Sequence, residues 1–228
     1  MKSDIIPFDD PHIQCALEFA AVKHAGQTRL MEHGKSNVPY IVHPYRVGRK
    51  LQAVLTADPS VYDNIADVVM AGILHDVLED TDTTLNDVIH EFGLPVATLV
   101  GKVSHARTRM SWHEKNEAYL SQITDAPLGA VLISLCDKLD NMCSIIGNND
   151  AGFNGFKILK STPKKQVAKF YNLYRIYYAR LHDVVPNLLE EYRIVLSTVV
   201  RQGSLDFELM PPTLAEIAEI SKRTHHDK

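Results

Sequence analysis

The stretch IADVVMAGILHDVLEDTDTT, residues 65–84, decides the fold. Its first ten residues carry one charge, Asp67. A helix that is apolar on every side belongs inside a helical protein rather than on its surface. Ser60 is placed to cap it, and the spacing predicts one long helix running on through HDVLED to residue 80. On that helix His75 lies under Glu79 and Asp76 under Asp80, because residues four apart share a face. One imidazole and three carboxylates then project over an arc of about 100°. Ionised carboxylates at the end of a buried helix are costly unless something neutralises them, and a divalent cation does so well.

Working outward, APLGAVLISLC, residues 126–136, is a second apolar run, interrupted by Asp137 and followed by Lys138 and Asn141. His43 stands at the start of a further helix, directly after the stiff turn PYIVHP, residues 39–44. In chain order these residues read H…HD…D, two imidazoles and two carboxylates from three helices. A mixed nitrogen and oxygen set suits Mn, Fe, Co or Zn and suits Ca poorly.

The rest of the chain repeats the helical pattern. Asp10-Pro11 opens a helix that Gly26 closes, and Thr84 with Asp87 opens a short one ending at Gly93. Others are expected at 43–56, 95–106, 112–123, 127–146, 163–182, 186–202 and 213–222. Sustained two-residue alternation is missing, so the fold class is all-α, a bundle of about ten helices. Residues 27–39 and the Asn- and Gly-rich 147–162 are expected to be loops, the latter mobile. The expected organisation is a core domain over 1–183 with a C-terminal helical extension, 184–228, packed on it. Phe170, Tyr171, Tyr174, Tyr177 and Tyr178 recur at helical spacing and read as core or as the seam of a homo-oligomer. Trp112 and Cys136 read as packing residues, and His24 as a packing or supporting histidine.

Composition removes several function classes. The 228 residues are 45% hydrophobic and 23% charged, which fits a folded globular protein. A net charge of −4 argues against a broad nucleic-acid-binding surface. The opening MKSDIIPFDD does not read as a leader, and no apolar run approaches a membrane span. Three cysteines without paired spacing argue for a reducing compartment, and together these features point to the cytoplasm.

H…HD…D is the signature of the HD-domain metal-dependent phosphohydrolases, and the surrounding residues narrow the resemblance. AVKHAGQTR (21–29), PYIVHP (39–44), AGILHDVLEDTDTT (71–84), EFGLPVATLVGKVS (91–104) and CDKLDNM (136–142) resemble the hydrolase domain of RelA/SpoT proteins. The chain is most similar to the stand-alone small alarmone hydrolases of the metazoan SpoT-homologue type. The resemblance implies an all-helical Mn2+ enzyme that removes the 3′-pyrophosphate of (p)ppGpp, giving GDP or GTP and pyrophosphate. It implies His43, His75, Asp76 and Asp137 as metal ligands, and Glu79 and Asp80 as the pair that orients and deprotonates the attacking water. Arg29 falls on an arginine that lies against the purine and Asn141 on an asparagine that contacts the sugar. A guanidinium can stack on a purine face as lysine cannot. Arg107 and Arg109, and the Lys164, Lys165 and Lys169 face, are the candidates for binding the pyrophosphate.

Departures from the family pattern leave alternatives open. Leu30 follows Arg29 where a basic residue is usual, and Asp140 replaces a neutral or basic residue. An adenine alarmone, (p)ppApp, or NADPH remains an alternative substrate. An inactive alarmone-binding sensor is the alternative of a different class, disfavoured by the intact Glu79-Asp80 pair.

Overall fold

A computed structural model describes residues 7–29, 38–58, 61–105, 109–158, 161–210 and 212–223. In chain order the elements are α1 (Pro11–Lys23), β1 (Thr28–Arg29), β2 (Val38–Pro39), α2 (Val42–Ala57), α3 (Ile65–Ile73), α4 (Val77–Asp80) and α5 (Leu85–Val103). They continue with α6 (Trp112–Thr124), α7 (Leu128–Asp150), α8 (Pro163–Leu181), α9 (Pro186–Gln202) and α10 (Leu214–Arg223). The all-α reading holds. The departure is the two-residue pair β1–β2, too short to show as an alternating pattern.

The chain divides into two compact units, Met1–Gln27 with Pro39–Asp137, and Thr28–Val38 with Lys138–Lys228. The division falls within α7. In the first unit α3 is the central helix and packs against α1, α2 and α5. From Val68 to Ile73 every residue of α3 is buried, as its all-round apolar sequence requires.

Local signals set most helix ends. The Asp10 side chain accepts the amide of His12 at 2.9 Å. Thr84 and Asp87 form a reciprocal capping box, with the Thr84 amide 2.8 Å from Asp87 Oδ2. Ser111 and Glu114 form another at the start of α6. Gly93 breaks α5 with φ 82°, a left-handed conformation that favours glycine, so the two expected helices meet there end to end.

The long helix expected over 60–80 is instead broken. Ser60 lies outside the described residues, and α3 is capped by Asn64, whose side chain accepts the amide of Asp67. The helix stops at Ile73, and α4 begins only at Val77. The reason lies in His75: its Nδ1 bonds the Gly72 carbonyl at 2.8 Å, occupying the acceptor that the next helical amide would use. The following amide bond, Val77 to Leu74, is already a tight three-residue turn at 3.1 Å. His75 therefore sits in a turn between two helices and does not stack under Glu79, whereas Asp76 flanks α4 and keeps its expected place one turn before Asp80, whose amide bonds the Asp76 carbonyl at 3.0 Å.

The second correction concerns 147–162. The segment is a loop only in part: α7 continues to Asp150, a turn over 151–154 follows, and Gly155–Ile158 form a 3-10 turn, with 159–160 outside the described residues. The polar residues that suggested a loop are used internally. Buried Asn148 donates to the Ser144 carbonyl at 2.8 Å, and Asn149 Oδ1 accepts the Gly155 amide at 2.8 Å. The second unit is otherwise built on α8 and α9, with α10 packed on α8. Phe170, Tyr174 and Tyr177 are buried there, and the Tyr192 hydroxyl bonds the Phe170 carbonyl at 3.0 Å. For those three aromatics the reading as core is correct.

Candidate metal and catalytic centre

Four side chains converge in the first unit. His43 enters at the first turn of α2, held there by its amide bond to the Tyr40 carbonyl at 3.0 Å. His75 and Asp76 come from the turn after α3, and Asp137 from the middle of α7. His43, His75 and Asp137 are all buried, and one ligand atom from each lies within 4.8 Å of the others. His43 Nε2 is 3.3 Å from Asp137 Oδ1 and 3.6 Å from Asp76 Oδ2. His75 Nε2 is 3.0 Å from Asp76 Oδ2 and 3.7 Å from Asp137 Oδ1.

The donors fit a divalent cation. With Nδ1 committed to the Gly72 carbonyl, His75 turns Nε2 inward, where it is buried and contacts Asp76 without hydrogen-bond alignment. A second donation that fixes the tautomer and ring orientation is the usual arrangement of a metal-binding histidine. The electrostatics carry the same demand for positive charge. Burial opposes protonation of His75, but the adjacent Asp76 carboxylate more than offsets it and lifts the group to about 9. Burial likewise opposes charge on Asp76, and the His75 imidazole prevails, so Asp76 is held well below the usual carboxylate range.

Glu79 and Asp80, at the end of α4, are held differently. Glu79 Oε1 accepts two bonds from one residue, the His105 amide at 2.7 Å and His105 Nδ1 at 3.0 Å. The His105 ring stacks on Tyr119 at 4.1 Å between centroids, and Tyr119 bonds Ser134 of α7 at 2.9 Å. Asp80 is exposed, and its carboxylate meets the Tyr40 hydroxyl at 3.1 Å. The same hydroxyl donates to Asp76 Oδ2 at 2.6 Å. Partial desolvation, followed by the charge of Asp76, raises Asp80 above an ordinary aspartate, and the Tyr40 bond only partly counters this.

In the second unit Arg29 donates from Nη2 to Asn141 Oδ1, and Nη1 lies 3.9 Å from Asp140 Oδ2. The residues expected at base and sugar are thus bonded to each other. Lys165 is exposed in the first turn of α8, its amide bonded to the capping Thr162 at 3.4 Å. Arg107 lies outside the described residues. Tyr40, Gln27 and His105 touch the centre without having been assigned roles from sequence. Tyr40 and Gln27 stand inside the motifs around His43 and Arg29, whereas His105 is 26 residues from Glu79 and carries no local signal.

With this geometry in hand, the chain can be placed: it belongs to the HD domain family, whose model matches residues 16–154. Within that family it is similar to a human protein named guanosine-3′,5′-bis(diphosphate) 3′-pyrophosphohydrolase MESH1, 39% identical over 127 residues, covering 56% of this chain and 65% of the human one. An Aquifex aeolicus protein named guanosine-3′,5′-bis(diphosphate) 3′-pyrophosphohydrolase is 39% identical over 132 residues, 57% of this chain and 17% of that protein. The chain therefore spans just under two thirds of the human relative and a small part of the bacterial one. A solved structure described as a metazoan ortholog of SpoT that hydrolyzes ppGpp and plays a role in starvation responses superposes with a TM-score of 0.60. It is 26% identical and covers 88% of this chain and 99% of its own. No helix among the described residues is long and apolar enough to cross a membrane.

Proposed function

We propose that the chain is a cytoplasmic, manganese-dependent hydrolase that removes the 3′-pyrophosphate of (p)ppGpp. The observation that carries the proposal is the convergence of His43, His75, Asp76 and Asp137 at 3.0–3.7 Å, with the Asp80 carboxylate joined to it through Tyr40. When bound, the metal ion supplies Lewis acidity and lowers the pKa of water. His43, His75, Asp76 and Asp137 would hold it. Asp80, whose carboxyl is raised above the ordinary aspartate range by partial desolvation and the charge of Asp76, accepts the proton of the attacking water as general base. Glu79, already engaged by two donors from His105, fixes the orientation of α4. The nucleotide 3′-oxygen departs as the water adds to its phosphorus, and pyrophosphate is released. Arg29 is assigned to the purine face, Asn141 to the ribose, and Lys165 with Arg107 to the pyrophosphate.

The test is a side-by-side assay of ppGpp, ppApp and NADPH with Mn2+, Fe2+ and Co2+, reading the released product. Pyrophosphate from ppGpp, fastest with Mn2+, is expected. Faster turnover of ppApp, or phosphate from NADPH, moves the substrate assignment. Binding of ppGpp without turnover under any metal makes the protein a sensor.

A further inference from the structure

Helix α4 cannot by itself aim Asp80. It has four residues, its first flanking residue Asp76 makes no side-chain cap, and Thr81 after it is extended. A helix this short has little intrinsic stability, so the direction of Asp80 is imposed by what grips it from outside. Two grips come from elsewhere in the first unit. Gln27 Nε2 donates to the Asp80 carbonyl at 2.6 Å, and the Tyr40 hydroxyl shares its one proton between Asp76 Oδ2 at 2.6 Å and the Asp80 carboxylate at 3.1 Å.

These grips are tied to each other. The Tyr40 amide bonds the Gln27 carbonyl at 3.0 Å, joining the segment after α1 to the turn before α2. Gln27 Oε1 faces His24 Nδ1 at 2.8 Å. With the amide nitrogen of Gln27 committed to the Asp80 carbonyl, its oxygen must accept, so His24 carries its proton on Nδ1. That donation fixes the glutamine; in the flipped amide, oxygen would oppose the Asp80 carbonyl. The buried His24 ring lies 4.7 Å from the Tyr40 ring, closing the assembly.

We infer that His24, Gln27 and Tyr40 form one clamp that positions Asp80 for proton abstraction, with the His24 N–H acting only through Gln27 and its ring, which phenylalanine would keep, packing on Tyr40. The inference rests on the general-base role of Asp80 in the proposed function. Displacement of a reacting group by about 1 Å costs on the order of 100-fold in rate. A positioning loss falls on kcat, whereas a binding loss falls on KM.

The test uses near-isosteric variants of the full chain with saturating metal: Gln27→Met, His24→Phe, Tyr40→Phe and the His24→Phe/Gln27→Met double variant. Each single variant is expected to lower kcat about 10- to 100-fold, with KM changed by less than about 2-fold and metal content retained. The double variant should lose no more than Gln27→Met alone, because His24 acts through Gln27. Unchanged kcat, a loss shared equally with KM, or additive losses in the double variant would each overturn the clamp. The same variants are run on bis(p-nitrophenyl) phosphate. A wild type active on that ester and inert toward ppGpp removes the alarmone assignment and leaves the clamp to be judged on the ester. A wild type inert toward both overturns the clamp together with the function.

Discussion

At the residue scale, adjacent carboxylates with nearly equal chemistry are given different work by their partners. Glu79 Oε1 accepts two donors from His105, which hold the carboxylate in place. Asp80, raised by desolvation and by the charge of Asp76, keeps a proton affinity closer to the working pH. Asp80→Ala is therefore expected to abolish product release while metal analysis still finds the ion. The pH dependence has a definite sign. Asp80 acts in its ionised form, so kcat should fall toward acid. Because Asp80 is raised, that fall should begin at a higher pH than for an ordinary aspartate near 3.9. A kcat that does not fall toward acid, read against pH in constant ionic strength, would remove Asp80 as the base. His105→Ala should produce a smaller loss, on the order of 10-fold, since it frees Glu79 without removing the base. A larger loss than that of Asp80→Ala would reverse the division of labour.

At the scale of elements, most boundaries were legible because their causes are local. Capping boxes, Pro at the first turn and a left-handed glycine act over three or four residues; α1, α5, α8 and α9 begin where such signals stand, and Gly93 kinks α5. The break after Ile73 was illegible for the opposite reason. The apolar run 65–74 and the HDVLED string each favour helix, and the imidazole that interrupts them is itself a tolerable helix residue. Its capture of the Gly72 carbonyl is visible only in three dimensions. The extension of α7 through GNND was hidden likewise, because Asn and Gly signal loops unless tertiary partners absorb their amides. Gly155 is the sharpest point of that region: a Cβ there would lie 2.1 Å from the Ile145 carbonyl oxygen, a backbone atom. Gly155→Ala should accordingly destabilise the fold by about 1–3 kcal/mol, measured by chemical denaturation. A change within about 0.5 kcal/mol, the usual scatter of surface substitutions, would show that the 3-10 turn shifts freely.

At the scale of the whole molecule, the family, the all-α class and the H…HD…D set could be read along the chain, whereas the pairing of Glu79 with His105 and of Arg29 with Asn141 could not. Those contacts join residues 26 and 112 positions apart. The buried centre also couples stability to pH. In the metal-free protein His75 is lifted to about 9, above its unfolded value of about 6.5. The stability this contributes is fully present below about 6.5 and is lost as pH rises through about 9. Chelated protein should thus melt at progressively lower temperature across that interval, while protein saturated with Mn2+ should resist the fall, since the cation takes the place of the proton. Parallel melting curves with and without Mn2+ would show that the ion does not occupy this centre.

The proposed ligands come from the first turn of α2, the turn after α3 and the middle of α7, with α4, α5 and α6 lying between the last two along the chain. A cation held by all three segments closes large loops of polypeptide, as a crosslink would. It would slow global opening as well as support chemistry, so stripping the ion should hasten digestion by a protease even with no substrate present.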